Sequence, residues 1–122
     1  MSALTPSVAA EVLSCAIEGG TNYWAAVSDI TRDADLGVTR VLYHPLTEAE
    51  DGYEEKGRVV SAESVKRAIR LIAYSGTTCG LSKGSCIIND CRALLFEDDA
   101  DYDADTADAV VQVALFGKLV YG

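Results

Sequence analysis

Two hydrophobic periods alternate along the chain. Over residues 6–18, Val8, Val12, Cys15 and Ala16 recur at three- and four-residue steps, with Leu13 and Ile17 beside them, the stripe of an amphipathic helix. Thr5 offers an N-cap hydroxyl, and Pro6 takes the first helical position, where its missing N–H costs nothing. Gly19 or Gly20 is expected to end this helix as a left-handed C′ residue. The period then switches. Tyr23, Trp24, Val27 and Ile30 predict a strand, "TRDADLG" a polar turn, and "VTRVLYHP" (38–45) a second strand. Val38, Arg40 and Leu42 would share one face of that strand and Thr39, Val41 and Tyr43 the other, with Pro45 ending the pairing for want of a donor.

An acidic loop, "LTEAEDGYEEKG", leads to a short third strand, "RVV" (58–60). The second helix begins at Ser61 as N-cap, carries Glu63 in its first turn, buries Val65, Ala68, Ile69 and Ile72, and stops at Gly76. Residues 87–98 suit a short helix or a strand. The last helix runs from about Asp105 to Phe116, with Asp103 as N-cap, Ala107, Val110, Val111, Ala114 and Leu115 inward, and Gly117 as C-cap. "KLVYG" follows as a tail or strand. The expected fold is α+β: one domain over 1–122, a small antiparallel sheet of about three meandering strands, and three to four helices packed on one face.

Composition narrows this picture. A chain of 122 residues suits one domain, since two would each be too small to bury a good core. A hydrophobic fraction of 49% and a mean hydropathy of +0.13 describe a globular chain. No apolar run approaches the roughly 18 residues of a membrane span, and "MSALTPS" has no basic segment leading into an apolar one. The expectation is a cytoplasmic protein (host cytoplasm if phage-encoded) with no membrane partner. Cys15, Cys79, Cys86 and Cys91 are then reduced thiols packed as small apolar groups.

The net charge of −9 is unevenly spread. Residues 1–55 hold ten acids and two bases, residues 56–92 two acids and seven bases, and residues 93–122 seven acids and one base. Acidity disfavours direct binding to nucleic acid unless the bases gather on one face. Neutralisation of the two acidic ends within the fold is the plainer expectation for the basic middle.

Candidate chemistry is sparse. "DDADYDADTADAVVQ" (98–112) places carboxylates at alternate positions, as a calcium loop does. Frames starting at Asp99 or Asp101 put Ala104 or Thr106 where the turn glycine belongs, and Val110 or Gln112 where the closing glutamate belongs. A helix start explains the same residues, with Asp103 as cap and Asp105 near the positive helix end. Asp108 and Gln112 lie four apart on one helix face, and Gln112 sits amid apolar neighbours where its amide needs a partner. Gly19 and Gly20 permit a close backbone approach, although an ordinary C-cap explains them too. Trp24 can anchor a core or stack on a planar ligand, with the core favoured. His44 is the sole histidine; with no partner visible in the sequence, it reads as a solvent-facing strand-end residue rather than a general base. The cysteines form no CxxC pair, so no metal site and no cofactor is called for. "GLSKGS", with Lys83 between glycines and serines, reads as a solvated loop that could also cup an anion.

Glu18, Gly19, Gly20, Tyr23 and Trp24 near one end, and Asp103, Ala104, Ala107, Asp108, Val111, Gln112, Phe116, Gly117, Tyr121 and Gly122 at the other, form two spaced motifs. They resemble a group of small, largely uncharacterised phage and prophage proteins, many from actinobacterial hosts, with an E-G-G-x-x-Y-W element and a D-A-x-x-A-D-x-(I/V)-V-Q-x-x-x-F-G-x-(I/V)-x-Y-G ending. The resemblance covers about 30 residues at the two ends and implies a phage or mobile-element origin, with no specific chemistry. It suggests that the first helix packs on the last, gathering Glu18, Tyr23, Trp24, Asp108 and Gln112 into a cluster with an aromatic wall. That cluster can be a hydrogen-bonded keystone, the preferred reading, or a site for a small planar ligand.

The functional expectation is a small accessory protein acting by binding, in the manner of counter-defence, either blocking a host protein or sequestering a nucleotide signal. The sequestering version predicts a homo-oligomer, with Trp24 or a tyrosine stacked on the base and Arg58, Lys66, Arg67 or Arg70 on phosphate. Three alternatives remain. One is an acidic DNA mimic exposing Asp98, Asp99, Asp101, Asp103 and Asp105 in a row; another is a small hydrolase using Glu18 or an aspartate; the last is a virion-associated assembly protein. Binding is favoured over catalysis because no nucleophile–base pair is visible.

Overall fold

A computed structural model describes residues 4–47, 52–97 and 100–122. The chain runs through α1 (Pro6–Cys15), a π-helical turn (Ala16–Gly20), β1 (Ala25–Asp33), β2 (Gly37–Thr47), β3 (Gly52–Tyr53), β4 (Arg58–Ser61), α2 (Ala62–Ser75), a 3₁₀ turn (Gly76–Cys79), α3 (Cys86–Phe96) and α4 (Ala104–Phe116). This is an α+β fold: a small antiparallel sheet in which β2 pairs with β1, β3 and β4, plus four α-helices. Val41, Tyr43 and Val60 are buried on one face, where α1, α2 and α4 meet β2 and β4. Leu42 and its partner Val59 lie on the other, more exposed face.

Local chemistry accounts for the helix starts. The Thr5 hydroxyl accepts from the Val8 N–H at 3.2 Å. Ser61 and Ser64 form a reciprocal capping box, Ser85 caps α3, and Asp103 accepts from the Thr106 N–H at 3.0 Å. Each such cap stabilises its helix by about 1 kcal/mol. Residues 86–96 are helical, which settles the ambiguity of 87–98. The expected inward residues of α2 are buried, but in α4 Ala114 and Leu115 are only half-buried, while Thr106, Asp108, Ala109, Gln112 and Val113 are buried as well. The last five residues form a tail rather than a strand, tied down where the Leu119 N–H donates to the Cys79 carbonyl at 2.8 Å.

Several expectations are corrected. The first helix ends as an α-helix at Cys15 and widens into a π turn, closed by the Thr21 N–H on the Ala16 carbonyl at 3.0 Å. Neither Gly19 nor Gly20 is left-handed. A Cβ on Gly20 would stand 2.9 Å from the Ala104 carbonyl oxygen, so the glycine is needed for close packing on α4. As expected, α2 stops at Gly76, its C-cap, which stays right-handed and makes room for Ile88, whose side chain a Cβ would meet at 2.5 Å. The left-handed residue comes later, at Gly80.

In the hairpin, β1 extends to Asp33 and the turn shrinks to residues 34–36, while Tyr23 and Trp24 precede the strand. The register slips twice, between Ser28 and Thr31 and between Thr31 and Arg32. The second slip places an extra residue in β2, which breaks the alternation, so Val38 is buried with Val41 instead of sharing the exposed side of Arg40. Pro45 lies inside β2. Its pair with Ala25 needs no Pro45 N–H, because the flanking bond runs from the Leu46 N–H to the Trp24 carbonyl, and its own carbonyl accepts from the Glu54 N–H at 2.8 Å.

Candidate functional site

The π turn delivers Tyr23 and Trp24 against α4, and one turn of α4 supplies Asp108 and Gln112. Asp108 Oδ1 accepts from Trp24 Nε1 at 2.7 Å and from Gln112 Nε2 at 3.1 Å, and Oδ2 accepts from the Tyr23 hydroxyl at 2.5 Å. Gln112, 1% exposed, turns the other way to hold the tail. Its Oε1 accepts from the N–H groups of Val120 and Tyr121 at 2.8 Å each, and its Nε2 donates to the Tyr121 carbonyl at 3.1 Å. The clamped tail lays the Tyr121 ring on one side of Trp24, with centroids 5.0 Å apart, while Tyr43 stacks on Trp24 at 5.7 Å. Thr21 completes the network. Its hydroxyl donates to the Ala16 carbonyl at 3.0 Å, so the Tyr43 hydroxyl 3.1 Å away must be the donor to Thr21. No buried side-chain nitrogen or oxygen among the described residues lacks a partner.

Of the five residues expected to cluster, Tyr23, Trp24, Asp108 and Gln112 do so. Glu18 does not: it is exposed and lines a separate acidic cleft with Glu11, Ser14, Cys15, Asp101 and Tyr102. Trp24 is 0% exposed, with rings on both sides, so it has no face for a ligand. Tyr121, Tyr43 and Thr21 were not anticipated as members. Tyr121 was legible as part of the C-terminal motif, but its place depends on a tail that doubles back. Burial, and next the bond to Asp108, push the Tyr23 hydroxyl up to about 12; burial pushes Tyr43 to about 12 as well.

The outer edge of this network borders an open cleft of about 490 Å³, lined chiefly by Tyr23, Asp105, Asp108, Gln112, Leu119 and Tyr121. Its volume falls in the range of small-ligand sites. The lining carries two carboxylates, two tyrosines and an amide, and no lysine or arginine.

The expected anion-binding residues divide between β4, which carries Arg58, and α2, which carries Lys66, Arg67 and Arg70. Arg58 is taken up by Glu54, through Nε at 3.2 Å and a terminal nitrogen at 3.0 Å, and its guanidinium lies 5.3 Å from the centre of the Phe116 ring. Arg67 borders a groove with Val113 and Ala114, and Lys66 and Arg70 lie within one turn of it on α2. Arg58–Glu54, which joins the basic middle segment to the acidic N-terminal part, is the sole ion pair among the described residues. In the acidic stretch, Asp101, Asp103 and Asp105 are exposed, and Asp98 and Asp99 lie outside the described residues. Among the described residues no group of three or more His, Cys, Asp or Glu is placed to hold a metal ion. Of the four free thiols, Cys79 and Cys91 are buried, Cys15 is half-buried and Cys86 is exposed, so Cys86 is not the packed thiol that was expected.

His44 overturns another expectation. It is half-buried, and both ring nitrogens have partners: Nδ1 lies 2.7 Å from the Glu54 carbonyl oxygen, and Nε2 lies 2.6 Å from Ser28 Oγ. A carbonyl only accepts, so Nδ1 carries the proton, and in the neutral ring Nε2 accepts from the serine. A serine–histidine pair is thus present that the sequence did not reveal. It depends on the β1–β2 register, which sets Ala26 opposite His44 and Ser28 two residues further along.

No protein-family model, curated protein or solved structure matches the chain. No helix among the described residues is long and apolar enough to cross a membrane.

Proposed function

We propose that this chain is a small accessory protein, of the phage type its end motifs resemble, that acts by binding and blocking a host protein. The observation that carries this reading is the lining of the cleft beside the Asp108 network. Two carboxylates, two aromatic rings and an amide without a single cation suit a lysine or arginine side chain of a partner, held by charge and by contact with the tyrosine faces. Sequestration of a nucleotide in the same place is disfavoured, since Asp105 and Asp108 would repel phosphate and Trp24 is sealed between Tyr43 and Tyr121. The network itself is a keystone, fixing the π turn, α4 and the tail so that the cleft is pre-formed. Counter-defence is the role most in keeping with the resemblance.

The test is a calorimetric titration with an arginine-rich peptide, comparing Asp105→Lys with Glu63→Lys. Both variants change net charge equally, but Glu63 lies on α2, away from the cleft lining. Loss of affinity by at least about tenfold in Asp105→Lys alone is the expected result. Equal losses in both variants would mean diffuse attraction to an acidic protein and would sink the cleft reading.

One observation favours a second reading, a small hydrolase: the Ser28–His44 contact, with the Glu54 carbonyl orienting the ring. Asp29, next to Ser28, has φ +49, the one positive value at a non-glycine among the described residues. Labelling of Ser28 by a fluorophosphonate probe, abolished in His44→Gln, would support it. No label on Ser28 in the folded protein would exclude it.

A further inference from the structure

We propose that the junction of α2 and α3 is a binding site for a phosphate-bearing ligand of the nucleotide class. It lies apart from the cleft beside Asp105 and does not depend on that reading. A pocket of about 300 Å³ opens there, lined by Tyr74, Ser75, Thr77, Lys83, Gly84 and Arg92 together with Gly76 and Ile88. In a chain of net charge −9, this lining holds two cations and no carboxylate. Neither cation has a carboxylate partner among the described residues. Arg92 is held in place by its Nε, which donates to the Ala73 carbonyl at 3.0 Å, and its terminal nitrogens have no hydrogen-bond partner among the described residues. Lys83 and Gly84 precede the first turn of α3, whose positive dipole end offsets the negative end of α2 at Ser75. The hydroxyls of Ser75 and Thr77 complete a set suited to phosphate oxygens.

An independent observation supplies the rest of the ligand. Tyr74, which lines the pocket, is 69% exposed, and Phe96, packed edge-on against it at 6.4 Å, is 66% exposed. Two large aromatic rings left out of the core beside a cationic pocket form a stacking surface for a planar base. An aromatic ring and two cations lining one pocket match the two parts of a nucleotide, base and phosphate. The volume stands at the lower end of the roughly 300–1,000 Å³ typical of small-molecule sites, which suits one nucleotide unit rather than a strand. The basic middle segment, which the sequence presented as internal neutralisation, becomes in part the wall of this pocket.

The experiment follows backbone amide NMR signals of the full chain while AMP, inorganic phosphate and adenosine are added in separate titrations. Saturable shifts at Thr77, Lys83, Gly84 and Arg92 are expected with AMP, weaker with phosphate, and weakest with adenosine. The Lys83→Glu variant changes an exposed loop residue and leaves the packing intact; it should weaken AMP by at least about tenfold. Tyr74→Ala should weaken AMP but not phosphate, and added salt should weaken both. Shifts that persist unchanged in Lys83→Glu, or no saturable shift at these residues, would overturn the proposal. Equal affinity for AMP and phosphate, insensitive to Tyr74→Ala, would overturn the nucleotide assignment and leave a bare anion site. Binding of a thymidine oligomer without binding of AMP would replace it with a single-strand surface.

Discussion

Replacing Gln112 by Ala strikes the point where the keystone and the tail meet. The amide accepts from two backbone N–H groups at 2.8 Å and donates to the Tyr121 carbonyl and to Asp108 Oδ1, each at 3.1 Å. Truncation leaves the Val120 and Tyr121 N–H groups unmade. Both residues sit near solvent, so each loss falls toward the low end of the roughly 1–3 kcal/mol for an orphaned buried group. A buried space is left as well, and Asp108 loses one of three donors. The total is about 2–4 kcal/mol. For a chain of this length that corresponds to a fall in Tm on the order of 10 °C. Thermal unfolding followed by circular dichroism measures it, and amide hydrogen exchange locates it, with Val120 and Tyr121 losing protection first. Pairing the change with Trp24→Phe, which removes the other donor to Asp108 Oδ1, should give non-additive losses. A Tm within experimental error of the parent protein, with tail exchange unaltered, would refute the keystone.

Three further outcomes follow from the packing. Gly20→Ala should destabilise clearly, because its Cβ would meet the Ala104 carbonyl at 2.9 Å, whereas Gly19→Ala meets nothing within 4 Å and should be neutral or mildly stabilising; paired melting curves decide it. Titration with a thiol reagent should give one fast group, Cys86; Cys15 should be slower, its thiol raised by burial and then by Glu18, and Cys91, pushed up to about 12 by burial, should react only on unfolding. Alkaline pH should unfold the protein: Tyr23 and Tyr43 hold their protons to about 12 in the fold against about 10 in an unfolded chain, so their contribution is full below about pH 10 and is lost as pH rises through 12. Tyr43→Phe should flatten that part of the stability profile.

The helices were legible because their information is local. Thr5, Ser61 and Asp103 cap where a short side chain precedes an apolar stripe, and Gly117 ends α4 with φ +76 as its position implies. The meeting of the two end motifs was expected from the resemblance alone, and Tyr23, Trp24, Asp108 and Gln112 do come together through hydrogen bonds. What stayed hidden needs register or close approach. A bulge in β2 moved Val38 to the core face, and the hairpin register made Ser28 a partner for His44. Gly20 was misread because a glycine required by a neighbour's atoms looks, in sequence, like a glycine required by its own φ. Glu18 shares a motif with Trp24 but leaves the π turn on the solvent side.

Mapping where a cation docks tests the central claim most directly. Adding an arginine-rich peptide to the isotope-labelled chain should shift the amides of Tyr23, Ile87, Asp105 and Leu119 and the side-chain amide of Gln112, all around one cleft. The largest shifts falling instead around Glu11, Glu18 and Asp101, or spread over every acidic surface without saturation, would contradict the account.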